Sequence, residues 1–247
     1  PMSSPLPAQR YDRLDVLRGV AIVWMAAFHF AFDLNHFGLV ARQDFYRDPL
    51  WTWQRTAIVT LFLCCAGIGQ LVAWRQGQTR RRFVLRWLQI VDCALLVSVA
   101  SAMMFPRSWI SFGVLHAIAV MVLLLRWMAP LMEHRPWVPW ALGALGLALP
   151  WWVSHPFFDS RLTNWVGLVT RKPVTEDFVP ILPWLGVICW GWAAGRWLLD
   201  HHPGWLVGAV PRWTQPLAVL GRWSLSFYML HQPILIGAVL AYLHLRR

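Results

Sequence analysis

Seven stretches of roughly twenty mostly apolar residues dominate this chain, at about 17–39, 55–74, 84–105, 110–128, 137–153, 180–199 and 222–243. A helix of about that length crosses the hydrocarbon core of a bilayer, where only helices and closed barrels satisfy their own backbone hydrogen bonds. None of the stretches shows the apolar/polar alternation of a barrel strand. The predicted class is therefore all-α: a polytopic integral membrane protein of about seven transmembrane helices in one bundle. Of 247 residues, 58% are hydrophobic and 13% charged, whereas a soluble domain carries about a quarter charged. The whole of 1–247 reads as a single transmembrane domain, without an internal repeat. The fifth stretch is short and rich in Gly and Pro, which makes it the weakest of the seven. Pro106, Pro130, Pro136, Pro150 and Pro156 are expected at helix ends, where a missing amide donor does least harm.

The formal charge of +11 would suggest nucleic acid in a soluble protein. Here the arginines bracket apolar stretches, which is a topology signal and not a nucleic-acid patch. Placing the N-terminus inside puts Arg10, Arg13, Arg18, Arg75, Arg80, Arg81, Arg82, Arg86, Arg126, Arg135, Arg196, Arg212 and Arg222 on the inner side. Arg42, Arg47, Arg55, Arg107, Arg161, Arg171, Lys172, Arg246 and Arg247 then fall outside. The expected orientation places the N-terminus on the cytoplasmic side and the C-terminus on the outer side. The longest outer connection, about 154–179, carries Asp159, Arg161, Asn164, Arg171, Lys172, Glu176 and Asp177; a loop of this length is often functional. Trp51, Trp53, Trp151 and Trp152 sit at outer boundaries, where indoles favour the interface or stack on a sugar. Cys64, Cys65, Cys93 and Cys189 lie in apolar stretches without zinc-site spacing and read as reduced packing residues.

Within the first stretch, AAFHFAFDLNHFG places His29, Asp33 and His36 at i, i+4 and i+7, on one helix face. Ionisable groups inside a span are costly enough to be treated as functional, with a partner nearby. Asp33, one turn from His29, is expected to fix its tautomer and raise its basicity, which makes a general base. Two other readings stay open: the side chains join helices, or they supply three ligands to a metal. Nothing else on the chain completes a metal cage, and no metal is expected. His116 in FGVLHAIAV and His231 in SLSFYMLHQPIL lie in later stretches at compatible depths. Arg18, Arg80, Arg82, Arg86 and Arg222 are candidates for an inner anion-binding surface. Arg18 also precedes Gly19, where a ligand has room to approach the backbone.

RYDRLDVLRGVAIVWMAAFHFAFDLNHFG resembles the first-helix signature of the heparan-alpha-glucosaminide N-acetyltransferase catalytic-domain family and its short bacterial relatives. FGVLHAIAV, EDFVPILPWLGVICWGWAAGR and LGRWSLSFYMLHQPILI extend the resemblance in the same order along nearly the whole chain. The resemblance implies a transmembrane acyltransferase that moves an acetyl group from cytosolic acetyl-CoA to an amino sugar or related glycan on the outer side. It implies a histidine and an asparagine in the active site near the first helix. His29 falls at the family's asparagine, and His36 is nearest the family's histidine, so either is the candidate base. On this reading His29, Asp33 and His36 are catalytic, and Arg18, Arg80, Arg82, Arg86 and Arg222 hold the CoA phosphates. His116, Asp177, Trp184, Tyr228 and His231 contact substrate or the oxyanion. Direct transfer is preferred over an acetyl-histidine intermediate. The expected partners are the acyl donor, the glycan acceptor, the lipid bilayer and a second copy in a homo-oligomer. The competing classes are a proton-coupled transporter or flippase using the same histidines, and a non-catalytic membrane scaffold; neither has reason to bind acetyl-CoA.

Overall fold

The computed structural model describes residues 11–246; Arg10 and Arg247, used in the charge count, lie outside the described residues. Eight α-helices are present among the described residues: α1 (Asp12–His36), α2 (Pro49–Arg75), α3 (Arg80–Met104), α4 (Val114–His134), α5 (Val138–Trp152), α6 (Ile181–His201), α7 (Gln215–Arg222) and α8 (Ser224–Leu245). No strand occurs among them, and the protein is an all-α membrane protein.

Among the described residues five helices, α1 to α4 and α8, are long and apolar enough to cross a bilayer, against the expected number of about seven. The 15 residues of α5 span only about 22 Å at 1.5 Å per residue, short of a core of about 30 Å. In α6, four tryptophans and three glycines dilute the aliphatic content of its 21 residues. The last apolar stretch forms α8, and the short α7 ends at Arg222, just ahead of it. Pro130 and Pro150 lie inside α4 and α5 and not beyond their ends. Both fall in the last two turns, where a freed carbonyl is near the helix end.

Contacts along the chain separate two compact units. The first runs up to Phe62 and resumes at Gly204. Its spine is α1, whose first turn carries Asp12 and Asp15, matching the positive end of the helix dipole. Two glycines bring α7 against α1, backbone to backbone. A methyl group on Gly19 would stand 2.1 Å from the Leu217 carbonyl oxygen, and one on Gly221 would stand 1.8 Å from that of Asp15. Such close approach is characteristic of helix contacts in lipid, where dispersion and not water release drives association. The segment after α1 is clasped by Asn35, whose Oδ1 accepts the Gln43 N–H at 2.7 Å while its Nδ2 donates to the Gln43 carbonyl at 3.2 Å. Phe45 is thereby buried, its ring 4.0 Å from that of Trp51 and edge-on to Phe28 and Phe32.

The second unit, Leu63–Pro203, holds the rest of α2 with α3 to α6. Here α5 packs along α6, and α4 packs against both α3 and α6. Arg75 at the end of α2 donates to Asp200 of α6 at 2.6 Å and to Glu133 of α4 at 3.0 Å. Arg196 donates to the Met132 and Glu133 carbonyls at 3.0 and 2.5 Å. Two of the arginines read as inner cations are thus committed to tying helix ends together.

Candidate functional site

The three polar residues of α1 take partners that helical spacing alone did not predict. His29 Nδ1 lies 2.7 Å from Nε2 of His231 on α8, with the two rings within 14° of coplanar. The Asp33 carboxylate is engaged by Gln232 Nε2, at 3.0 and 3.3 Å to its two oxygens. The expected His29–Asp33 hydrogen bond is therefore replaced by two bridges from α1 to α8. Neighbours four apart on one helix hold their Cβ atoms about 5–6 Å apart, and α8 presents closer partners in His231 and Gln232. Asp33 is only 4% exposed, so this carboxylate is buried against a neutral amide whose own Oε1 is buried without a hydrogen bond. His29 is half-buried, and His36, at the end of α1, is exposed between the rings of Phe32 and Phe37. His36 remains within electrostatic reach of Asp33.

His231 is itself buried and donates from Nδ1 to the Tyr228 carbonyl at 2.6 Å. The Tyr228 ring stands 5.6 Å from that of His231, and the Phe28 ring 6.0 Å from that of His29. Sequence reasoning assigns no role to Gln232; its place directly after His231 in the LHQP motif is the one signal that singles it out. Among the described residues no group of three His, Cys, Asp or Glu side chains is arranged to hold a metal, so the His29, Asp33 and His36 ligand set is not formed.

Arg18 belongs to the same unit and is paired with Asp15 at 3.0 Å, and Arg222 is exposed within electrostatic reach of that carboxylate. The space expected beside Gly19 for a ligand is filled by the backbone of Leu217.

The remaining candidates lie in the second unit. Gly113 N–H donates to His116 Nδ1 at 3.2 Å, which leaves the ring proton on Nε2, 3.1 Å from the Ser98 hydroxyl. Ser98 in turn donates to the Ile110 carbonyl at 2.6 Å. Asp177 Oδ2 accepts the Val114 N–H at 2.8 Å. Both side chains thus cap the first turn of α4 and satisfy amides that its N-terminus leaves free. Trp184 is half-buried in the first turn of α6. Arg80, Arg82 and Arg86 are exposed on the first two turns of α3, and their guanidiniums have no ion-pair partner among the described residues. Cavities of about 460 and 110 Å³ between α5 and α6 and among α4, α5 and α6 are lined by apolar residues without a histidine or arginine.

The catalytic-domain profile of heparan-alpha-glucosaminide N-acetyltransferase matches residues 10–233. The chain belongs to this family. Membership makes it a membrane acetyltransferase in class, and it brings α1, with the His29 cluster, and the His231–Gln232 pair of α8 within one matched domain. No curated protein and no solved structure matches the chain.

Proposed function

We propose that this chain transfers an acetyl group from acetyl-CoA to an amino sugar or related glycan acceptor, with His29 as the general base. The observation that carries this reading is the His29–His231 contact, 2.7 Å long, on helices of a family of membrane acetyltransferases. Ionisable side chains within spanning helices are rare and mark functional sites by default, with their partner close by. The acceptor nitrogen or oxygen attacks the thioester carbonyl while its proton passes to His29. The C–S bond then breaks, and the CoA thiolate recovers the proton as a thiol, so the acetyl group moves in one direct transfer. Asp33 lies one turn from His29 on α1, its carboxylate held by Gln232 Nε2. His36, exposed at the end of α1, borders the path of the acceptor.

The phosphates of CoA meet arginines. Two separate groups are candidates, one in each unit: Arg80, Arg82 and Arg86, whose guanidiniums have no ion partner among the described residues, and Arg18 and Arg222, which flank Asp15; Arg is suited to bidentate phosphate contacts. Tyr228, beside His231, offers aromatic surface for a sugar ring; Trp184 is a separate candidate in the other unit, and His116 and Asp177 stay with the α4 cap. With the N-terminus cytoplasmic in a bacterial inner membrane, donor and acceptor arrive from opposite faces. The test is CoA thiol release by purified protein given acetyl-CoA with a panel of amino sugars. Acceptor-dependent release that His29→Ala abolishes supports the reading; folded protein that neither binds nor turns over acetyl-CoA overturns it.

A further inference from the structure

We propose that His231 is a positioning residue that fixes the tautomer of His29 and leaves His29 Nε2 as the one atom of the pair able to take a proton. This rests on the acyltransferase reading, and it reassigns His231 from a substrate contact to a support standing behind the base.

The reasoning starts at the Tyr228 carbonyl. A carbonyl oxygen can only accept, so the 2.6 Å contact requires the proton of His231 to be on Nδ1. Neutral His231 then has a bare Nε2, and the 2.7 Å contact requires His29 to donate from Nδ1. Neutral His29 consequently carries its lone pair on Nε2, which has no hydrogen bond among the described residues. The near coplanarity of the rings, 14° with centroids 5.0 Å apart, places the bridging proton in the plane of both lone-pair directions. The backbone of α8 thus determines, through one ring, which nitrogen of a histidine on α1 is basic.

A second consequence concerns proton number. Two protons facing each other across 2.7 Å are excluded, so the pair gains one proton and not two. That proton enters at His29 Nε2. The bridging proton can then shift toward His231, which spreads the charge over both rings with the Tyr228 carbonyl as the final acceptor. During transfer the acceptor's proton arrives at Nε2 and leaves from Nε2 to the CoA thiolate; no other atom of the dyad changes its bonding permanently. The other ionisable groups facing the pair are Asp33 and His36 on α1 and Tyr228 on α8. On α7, Arg222 faces Asp15, about 20 Å from His29 along α1.

The test is nitrogen NMR of histidine-labelled full-length protein in micelles, with His29 and His231 resonances assigned from His29→Gln and His231→Gln. At neutral pH His29 should show a bare Nε2 and a protonated Nδ1, His231 a protonated Nδ1, and the pair should take up a single proton on acidification. His231→Phe removes the acceptor of the Nδ1 proton. It should give His29 a mixture of tautomers and lower kcat about tenfold or more, with the acceptor KM within twofold. His231→Gln, whose side-chain oxygen accepts that proton, should recover part of kcat. Wild-type His29 protonated on Nε2 at neutral pH would overturn the proposal whether or not the variants fold. So would a His231→Phe enzyme that raises KM while leaving the His29 tautomer unchanged. Absence of turnover in wild type sinks the acyltransferase reading, while the tautomer measurement still decides this one.

Discussion

Replacing Gly221 with alanine should destabilise the protein, whereas the same change at Gly237 should not. A methyl group at 221 would meet three backbone atoms, the Asp15 carbonyl oxygen at 1.8 Å, the Asp15 carbonyl carbon at 2.7 Å and the Gly19 nitrogen at 3.0 Å. Ordinary contact begins near 3.4 Å, so α7 has to withdraw from α1 by roughly 1.6 Å, and no side chain can rotate away to make room. Overpacking of this kind costs about 1–3 kcal/mol. For a chain of this size that lowers the unfolding midpoint by roughly 2–4 °C per kcal/mol, or about 2–12 °C in all. Around Gly237 on α8 nothing lies within 4 Å, and alanine there gains up to about 1 kcal/mol of helix propensity. Thermal unfolding of the two variants in one detergent reads the contrast directly. Equal midpoints for Gly221→Ala and Gly237→Ala would refute the claim that α7 braces α1 by backbone contact.

His116→Ala should lower the unfolding midpoint by the equivalent of about 1 kcal/mol, the usual worth of a helix cap, and leave the acceptor KM unchanged. A raised KM with an unchanged midpoint would return His116 to the substrate. Asp159 accepts the Thr170 hydroxyl and amide N–H and the Arg171 N–H, and these bonds hold its carboxyl below the ordinary value of 3.8. A folded-state value that is depressed contributes stability above the ordinary value and loses it as pH falls through the folded one. Protection of the Thr170 and Arg171 amides from exchange, relative to an unstructured chain at the same pH, should therefore persist at neutral pH and fall only below about pH 4, whereas Asp159→Asn should lower it at neutral pH.

The class was legible because long apolar stretches bounded by arginines have few alternatives once the backbone must satisfy itself in lipid. Helix bounds shifted where local chemistry outweighs hydropathy: α1 begins at Asp12, ahead of the apolar stretch, because acidic residues suit a helix start. The eight residues of α7 were not legible as an element because they are too few to stand out as an apolar stretch and end where the last stretch begins. At the site, sequence periodicity put His29, Asp33 and His36 on one face but could not reveal partners from another helix. His231 and Gln232 are about 200 positions away, and only the packing of α8 on α1 couples them. Gly19 reads as open space in sequence for the same reason, since its occupant is the Leu217 backbone. His116 and Asp177 look chemical in isolation because a caps-and-turns role depends on where α4 starts.

The measurement that bears most directly on the central claim is the turnover number of His29→Gln with acetyl-CoA and an amino-sugar acceptor, measured beside acetyl-CoA binding by the same preparation. A general base contributes about 10²–10⁴-fold, so kcat should fall by at least about 10²-fold while the donor still binds as it does to wild type. A variant that keeps wild-type kcat would contradict the assignment of His29 as the base.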